Sequence, residues 1–367
     1  MKVLAVTTWY PTSAAPGTGV FVQRDCGALA LDHEVTVVHL APARALGEGP
    51  AETVDGPLRV IRVPLDWRRP DQLVRAAARL AGMYADYDLV HSMAFSAMIP
   101  MALRRPRVPW VHTEHWSALG QPSSAPAPLR VALPQLTRLL ALPDVVVCVS
   151  SFLRDVVAAR RRRPTMVVPN IVELEAEASP RHPRGPVLRL VAVGGLIERK
   201  DPETAVRTVA ELHRRGVPAE LVWVGAGPLL DRVEQLSAEL GVADGVRFVG
   251  AVPPQAVAEH LSRADIFLLP TRSETFCVAA AEALAAGRPV VVGAHGGQVE
   301  FVDESVGELV AEQTPQTYAD AVVRVDERHG RTPAEHFSDH VRHRFSVDNT
   351  RSAYREVYAQ AMGVRRA

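Results

Sequence analysis

The chain has 367 residues, more than a single hydrophobic core usually holds, and this length predicts two domains. It carries 41 basic and 41 acidic residues, so no net field favours binding to a nucleic acid. Its three cysteines, Cys26, Cys148 and Cys277, are too few and too widely spaced for a disulfide framework or a zinc cluster, and they fit a reducing cytoplasm. We expect no signal peptide and no segment apolar enough to cross a bilayer.

Short runs rich in Val and Leu alternate with helical stretches rich in Ala, Leu and Arg. This pattern is typical of mostly parallel sheets that helices cover on both faces. In the first half it predicts strands at Lys2–Val6, Glu34–His39, Leu58–Val63, Leu89–His91, Val108–His112 and Val145–Val149. In the second half it predicts strands at Leu188–Val193, Glu220–Val224, Val246–Phe248, Ile266–Leu269, Val290–Val292 and Gly307–Val310. An amphipathic helix is expected at Asp348–Met362.

The two halves are separated by residues 173–186, which are rich in Pro, Arg, His and Glu and show little apolar periodicity. We predict that this segment is a linker between two α/β domains, residues 1–172 and 187–345. Open α/β sheets bind ligands at the carboxyl ends of their strands. The two domains are therefore expected to face each other, with the functional site in the cleft between them.

Two glutamates, Glu274 and Glu282, stand eight residues apart around the expected start of a helix. The run Ala279–Ala286 favours a helix that ends at Gly287, so Phe276–Val278 should form its N-terminus. The first amides of a helix can hold a pyrophosphate. At 1.5 Å per residue the carboxylates would lie on the order of 10 Å apart, so one could bind sugar hydroxyls and the other ribose hydroxyls. The alternative is a solvated helix with two surface glutamates.

The first predicted strand of the second half leads into Gly194 and Gly195, followed by Arg199 and Lys200. Glycines let the backbone approach a ligand, and either cation can neutralise a departing diphosphate. The alternative is a glycine-rich turn with solvent-facing cations. The later segment Gly225-Ala226-Gly227 lacks the third glycine of a dinucleotide fingerprint, which disfavours a nicotinamide enzyme.

In the first half, Gly19 lies between the first strand and a helix predicted around Asp25–Leu31. It either admits a substrate closely or is an ordinary turn residue. The segment His112-Thr113-Glu114-His115 follows, with His91 at the end of a neighbouring strand. Its spacing does not match a helical zinc motif, so no metal is expected. A neutral His115 imidazole could instead donate to a sugar hydroxyl, or His115 could simply pack at a strand end.

Two further segments have open interpretations. The run Arg160–Arg163 is either a solvated helix end or a contact for anionic lipid headgroups. The loop Leu119–Pro128, next to His115, is expected to line the acceptor side of a site. Its sequence does not identify an acceptor.

In their order and spacing, these motifs resemble those of retaining GT-B glycosyltransferases of family 4, over nearly the whole chain. Glu274 and Glu282 resemble the family's E-x7-E motif. Gly194–Lys200 resembles its G-R-L-x-x-x-K segment, with Gly195 where the family usually has arginine. Weaker resemblances occur at Phe248-Val249-Gly250, Pro270-Thr271, Gly296-Gly297 and Pro169-Asn170-Ile171-Val172.

The resemblance implies that Glu274 holds hydroxyls of the donor sugar and that Glu282 holds the ribose. It implies that Lys200 neutralises the diphosphate with help from Arg199. The backbone of the loop at Gly194 and Gly195 would approach the donor.

The resemblance also implies that the backbone of Phe276, Cys277 and Val278 holds the sugar and the phosphate. His115 would face the reacting sugar, and Gly19 would lie near the donor phosphate. Residues 346–367 would pack back on the first domain.

The implied reaction moves a sugar from a nucleoside diphosphate sugar, with a UDP-sugar as the expected donor, to a hydroxyl of a glycan, a lipid-linked glycan or a secondary metabolite. It proceeds with retention at the anomeric carbon and uses neither metal nor cofactor. A sugar-nucleotide 2-epimerase of the same fold is one alternative. A second is an inactive nucleotide-sugar-binding partner protein, suggested by Gly195. We expect a cytoplasmic protein, with peripheral contact at the inner membrane face left open, and predict no oligomeric state.

Overall fold

The computed structural model describes residues 1–47, 50–124, 127–172, 180–183 and 185–364. The chain divides into two compact units, the first formed by Met1–Ile171 with Val347–Ala367 and the second by Val172–Ser346. Residues 173–179 and 184 of the predicted linker lie outside the described residues, as do residues 125 and 126 of the loop predicted to line the acceptor side.

The first unit contains an eight-stranded sheet in its described part. Its strands are β1 (Lys2–Thr7), β2 (Glu34–Ala41), β3 (Glu52–Asp55), β4 (Leu58–Pro64), β5 (Leu89–Met93), β6 (Trp110–Glu114), β7 (Val145–Cys148) and β8 (Thr165–Val167). They lie in the order β3-β4-β2-β1-β5-β6-β7-β8. Strand β3 pairs with β4 antiparallel, and the remaining pairs are parallel. Because the central strands are buried on both faces, they read as continuous apolar runs.

Helices cover this sheet and connect its parallel strands. They are α1 (Val20–Ala30), α2 (Ala43–Leu46), α3 (Pro70–Met83), α4 (Met98–Leu103), α5 (Ala127–Leu136) and α6 (Ser151–Ala158). The sequence order of the strands reverses between β1 and β5, where Thr7 pairs with Met93. The loops after β1, β5 and the adjacent β6 therefore leave the sheet at one edge, which is where α/β sheets bind ligands.

The second unit contains a six-stranded sheet in its described part, and the pairs of this sheet are parallel. Its strands are β9 (Leu188–Val193), β10 (Ala219–Val224), β11 (Val246–Gly250), β12 (Ile266–Leu269), β13 (Val290–Gly293) and β14 (Gly307–Val310). The order β11-β10-β9-β12-β13-β14 is the 3-2-1-4-5-6 order of a Rossmann sheet. The helices are α7 (Pro202–Arg214), α8 (Leu230–Glu239), α9 (Pro254–Arg263), α10 (Val278–Ala285), α11 (Pro315–His329) and α12 (Ala334–Arg342).

The predicted strands are confirmed, with differences at the ends of some of them. The strand predicted at Val108–His112 begins two residues later, at Trp110, because Pro109 has no amide hydrogen to donate to a ladder. Strands β3 and β8 were not predicted, since they are short edge strands without a run of buried residues. Helix α1 begins at Val20 rather than near Asp25, because Gly19 precedes it with a left-handed φ of 73°.

The last helix, α13 (Val347–Val364), belongs to the first unit and packs against α1. Four of its side chains are buried in the core of that unit: Tyr354, Val357, Tyr358 and Ala361. The helix predicted at Asp348–Met362 is therefore confirmed, together with its apolar face.

A buried polar network joins α13 to the sheet. The Asp25 carboxylate accepts a hydrogen bond from the Tyr354 hydroxyl at 3.4 Å, and that hydroxyl contacts Thr113 Oγ1 at 3.1 Å. His91 contacts Thr113 Oγ1 through Nε2 at 2.7 Å. Burial raises the pKa of Asp25 to about 7, against the opposing effects of the Tyr354 hydrogen bond and of Arg24.

We expect Asp25→Asn to become more stable relative to the wild type as the pH rises. The pKa of Asp25 is higher in the folded chain than its ordinary 3.8, so its stabilising contribution is complete below pH 3.8 and is lost as the pH rises through about 7. The variant should therefore gain roughly 3 kcal/mol in free energy of unfolding relative to the wild type between pH 5 and pH 8. Urea denaturation at both pH values measures this, and an unchanging difference would contradict it.

Candidate active site

The strand reversal in the second unit brings together three of the predicted site residues. Strand β9 ends at Val193, and the loop that follows it carries Arg199 and Lys200. The neighbouring strand β12 ends at Leu269, shortly before Glu274. Lys200 Nζ lies 2.5 Å from Glu274 Oε1, and Arg199 Nη1 lies 2.7 Å from Glu274 Oε2. One carboxylate therefore holds two cations at this edge of the sheet.

Glu274 is 6% exposed, and Thr271 Oγ1 donates a hydrogen bond of 2.8 Å to its Oε1. Burial alone would raise the pKa of this carboxyl. The attraction of Lys200 and Arg199, together with their hydrogen bonds, overcomes burial and holds the pKa below its usual value. Glu274 is therefore ionised at neutral pH.

Backbone contacts hold the cation loop in place. Arg199 Nη1 donates to Ser273 O at 2.8 Å, and the Arg272 amide donates to Arg199 O at 2.9 Å. Asp201 is the N-cap of α7, with a left-handed φ of 49°, and forms an ion pair with Arg272 at 2.9 Å. These contacts fix the backbone of the loop that carries both cations at this edge of the sheet.

The N-terminus of α10 lies directly after Glu274 in the chain. Helix α10 begins at Val278, with Cys277 as its N-cap, and Gly287 follows its end with a left-handed φ of 81°, so both predicted ends are confirmed. Among the hydrogen bonds of the described residues, none has the amide of Phe276, Cys277, Val278 or Ala279 as donor. Such amides, next to two cations, form an arrangement that can bind an anion.

Side chains fix the backbone at this helix start. The Phe276 ring is buried against Phe301 and Phe345, with ring centroids 5.3 and 4.9 Å away, so this residue can offer a ligand its backbone rather than its ring. Cys277 has a left-handed φ of 72°, an uncommon conformation for a residue with a side chain. Burial raises the pKa of its thiol to about 12, so it is a neutral group at physiological pH and not a nucleophile.

Glycines bring the neighbouring loops close to the site. A Cβ on Gly296 would lie 2.0 Å from Glu274 O, and the amide of Gly297 donates to that same oxygen at 3.0 Å. A Cβ on Gly225 would lie 2.1 Å from Gly194 O. Position 195 is different, because a Cβ there would meet Ala226 O at an ordinary 3.5 Å. The backbone around Gly195 therefore leaves room for a side chain.

The second glutamate of the pair, Glu282, lies in the second turn of α10 and is partly buried. Gly19 and His115 belong to the first unit, whereas the other predicted site residues belong to the second. A Cβ on Gly19 would lie 2.3 Å from the carbonyl carbon of Trp9, so this position requires glycine for backbone packing. This close backbone contact explains a glycine at position 19 as a turn residue, without a ligand.

His115 follows β6 in the first unit and is 8% exposed. Its ring packs on Phe21 with centroids 4.5 Å apart, and its Nε2 has no hydrogen-bond partner among the described residues. Burial, with a smaller effect of His112, lowers the pKa of His115 to about 3, so the imidazole is neutral at physiological pH. A neutral imidazole with one unpaired ring nitrogen can exchange a hydrogen bond with a ligand hydroxyl.

The other two histidines are bonded inside the protein. His91 contacts Tyr358 and Thr113, and His112 contacts Ser92 and Glu114. In the described part of the chain, no group of three or more His, Cys, Asp or Glu side chains is placed to hold a metal ion. His91 and His112 therefore fit the interpretation of histidines packed at strand ends.

The arginine run after α6 is partly used for internal contacts. Arg161 is buried and donates to Pro143 O at 2.8 Å, while Arg163 pairs with Asp144 at 2.9 Å. Neither sequence hypothesis, the solvated helix end or the lipid contact, included these structural roles. Within the ranges that the structure describes, no helix is both long and apolar enough to cross a membrane.

Comparison with solved structures defines the class of fold. Over 99% of the chain, the structure matches the whole of a sucrose-phosphate synthase from Thermosynechococcus elongatus, with a TM-score of 0.80 and 22% identity. Over 98% of the chain, it matches 99% of Anabaena HepE, solved in complex with UDP-glucose, with a TM-score of 0.74 and 18% identity. The fold is therefore the GT-B fold of two Rossmann-like domains.

Comparison of sequences defines the family. The model of the family "Glycosyl transferases group 1" matches residues 178–336, and the model of "Glycosyltransferase Family 4" matches residues 17–176. A GDP-mannose-dependent alpha-(1-6)-phosphatidylinositol monomannoside mannosyltransferase of Mycobacterium tuberculosis is 30% identical over 73% of this chain and 74% of its own length. A D-inositol 3-phosphate glycosyltransferase of Corynebacterium jeikeium is 28% identical over 88% of this chain and 87% of its own. The chain is a glycosyltransferase of the group 1, or family 4, glycosyltransferases.

Proposed function

We propose that the protein transfers a glycosyl group from a nucleoside diphosphate sugar to an acceptor hydroxyl, with retention at the anomeric carbon and without a metal ion. The observation that carries the proposal is the cluster in the second unit, where Lys200, Arg199 and Glu274 meet beside the unbonded amides at the start of α10. A diphosphate is an anion of suitable charge for two cations and a helix N-terminus.

In this proposal the amides of Cys277 and Val278 bind the diphosphate, and Lys200 neutralises the charge that develops on it as the glycosyl bond breaks. Arg199 supplies the second positive charge, in place of the arginine that Gly195 replaces. Support comes from the contact of both cations with Glu274, which directs their side chains to one point. The protein thus has two cations for the leaving group despite Gly195.

Glu274 is proposed to bind hydroxyls of the transferred sugar, and Glu282 to bind the ribose. Once the cations engage the diphosphate, the ionised Glu274 oxygens become free to accept hydrogen bonds from hydroxyls. His115 is proposed to exchange a hydrogen bond with a sugar hydroxyl through its unpaired Nε2. The departing diphosphate would take the proton of the acceptor hydroxyl on the face from which it leaves, which retains the anomeric configuration and requires no protein nucleophile.

For the donor we propose GDP-mannose, and for the acceptor a molecule that contains an inositol ring. The support is the similarity to two relatives, a GDP-mannose-dependent phosphatidylinositol monomannoside mannosyltransferase and a D-inositol 3-phosphate glycosyltransferase. The UDP-sugar expected from sequence is the competing donor, and the neighbour solved with UDP-glucose supports keeping it in the test.

The proposal is tested by incubating the protein with GDP-mannose or UDP-glucose in EDTA, with phosphatidylinositol monomannoside or inositol 3-phosphate as acceptor. We expect an acceptor-dependent product, detected by mass spectrometry, whose new anomeric linkage has the configuration of the donor by NMR. A product of inverted configuration would contradict retention. Conversion of the donor to its C2 epimer without any acceptor would instead support the epimerase alternative.

A further inference from the structure

A chain of buried polar side chains lies beneath His115 in the first unit. Trp110 Nε1 donates to Ser92 Oγ at 2.8 Å, and Ser92 Oγ lies 2.9 Å from His112 Nδ1. His112 Nε2 lies 3.2 Å from Glu114 Oε2, and both side chains are fully buried. This polar chain crosses strands β5 and β6 and ends at a carboxylate.

Donor and acceptor chemistry assigns these hydrogen bonds a direction. The indole of Trp110 can only donate, and an ionised Glu114 can only accept. The His112 imidazole therefore donates from Nε2 to Glu114, and its Nδ1 lies within hydrogen-bond distance of Ser92 Oγ, at 2.9 Å, and of Ser92 O, at 3.1 Å. The assignment leaves each member of the chain bonded, as a buried polar network requires.

The second oxygen of Glu114 binds the loop that carries His115. Glu114 Oε1 accepts hydrogen bonds from the amides of His115 at 2.9 Å and of Trp116 at 2.8 Å. Among the described residues, the ion pairs of Glu114 involve His112 alone. Because this carboxylate receives its stabilisation from the two loop amides and from His112, it holds the loop in one backbone conformation.

The orientation of the His115 ring depends on that backbone. Its Nε2 is buried and has no hydrogen-bond partner among the described residues, and the ring packs on Phe21 at a tilt of 45°. An unpaired buried nitrogen is costly unless a ligand uses it. The loop must therefore be fixed accurately, since a displacement of 1 Å can cost about 100-fold in rate.

We propose that Glu114 is the positioning residue for His115, and that the relay from Trp110 through Ser92 and His112 fixes Glu114 in turn. This inference rests on the proposed role of His115 in glycosyl transfer. A purely structural Glu114 would affect the stability of the whole unit. A positioning Glu114 affects the reaction only through His115, so its loss should have no further effect once His115 is removed.

Two substitutions separate the charge of Glu114 from its hydrogen bonds. Glu114→Gln keeps an oxygen that accepts from both loop amides, and its NH2 group can donate to His112 after a change of tautomer. Glu114→Ala removes the acceptor of both amides. The matched control is Asp265→Ala in the second unit, because Asp265 is also buried and accepts from the Arg189 amide at 2.9 Å, at the end of β9 opposite to the candidate site.

The kinetic test is a double-mutant cycle, read as the rate of nucleoside diphosphate release from whichever of GDP-mannose and UDP-glucose the wild type uses. We expect Glu114→Ala to lower kcat by up to about 100-fold, and Glu114→Gln to recover most of this loss. In the His115→Ala background, Glu114→Ala should change kcat by less than about 2-fold. Asp265→Ala should lower the Tm while leaving kcat unaltered.

The proposal would be overturned by losses that multiply in the double variant, or by a Glu114→Ala variant as active as the wild type. It would also be overturned if His115→Ala alone left kcat unchanged, although glycosyl transfer itself would then stand. A separate readout does not depend on activity: the amides of His115 and Trp116 should exchange hydrogen slowly in the wild type and in Glu114→Gln, and faster in Glu114→Ala. If these two amides exchanged as slowly in Glu114→Ala as in the wild type, the proposal would be overturned. This result would hold whether or not the protein is active with the donors tested.

Discussion

Replacing Lys200 by alanine is expected to lower kcat/KM for the donor by about 100-fold to 1000-fold, the usual cost of losing one group that stabilises developing negative charge. Lys200 Nζ already lies 2.5 Å from Glu274, at the edge of the sheet where the diphosphate is proposed to bind. Of the two cations that contact Glu274, Arg199 would remain. Steady-state kinetics with the donor measures the loss, and calorimetric titration with GDP or UDP should show weaker binding.

The control for Lys200→Ala is Arg207→Ala, which removes a partly exposed cation from α7 that lies 3.9 Å from Glu203. The two residues are one helical turn apart on the surface of α7, and such an ion pair contributes little to the free energy of unfolding. We expect Arg207→Ala to match the wild type in rate and in nucleotide affinity. Comparable losses in both variants would mean that general charge, rather than Lys200 at the proposed site, determines the rate.

The second large effect is expected for Glu274→Ala, with a loss in kcat of about 100-fold or more and no loss of affinity for the nucleoside diphosphate alone. Glu274 pairs with Lys200 and Arg199, so it competes with a diphosphate for both cations. Its removal frees both cations, so GDP or UDP should bind as tightly as in the wild type or more tightly. Kinetics and calorimetry on the same preparation separate the two effects.

Two companion variants sharpen the test of Glu274. Glu274→Gln keeps the shape but not the charge, and it should show the same gain in nucleotide affinity with a smaller loss in kcat. Glu282→Ala should have the opposite profile, with weaker nucleotide binding from the lost ribose contact. Equal and negligible effects of Glu274→Ala and Glu282→Ala on both quantities would show that the site has been assigned wrongly.

Much of the fold follows from the sequence because buried parallel strands need continuous apolar runs. Val290–Gly293 is buried along its whole length, and such strands could be located without a structure. Strand β3 could not be located from the sequence, because an edge strand needs few apolar residues. Its Val54 is 80% exposed. Gly19 gave no signal that α1 starts next to it, since a left-handed φ leaves no distinct sequence pattern.

The candidate site was predictable where a motif lies in one loop and not where distant loops meet. The start of α10 follows from the alanine run and from Gly287. The contact of Arg199 with Glu274 joins residues 75 positions apart, and sequence alone left Arg199 as a helper of Lys200. Glu114 was noted beside His115, but its bonds to two loop amides depend on the register of β6 and on the buried relay.

The most direct test of the donor site is calorimetric titration of the wild-type protein with GDP and with UDP in EDTA, repeated with Lys200→Ala. We predict that one of the two nucleotides binds without metal, with a Kd between about 1 and 100 µM, and that binding weakens at least about tenfold in Lys200→Ala. Failure of both nucleotides to bind, or equal binding by the two proteins, would contradict a donor site at Lys200, Glu274 and the start of α10.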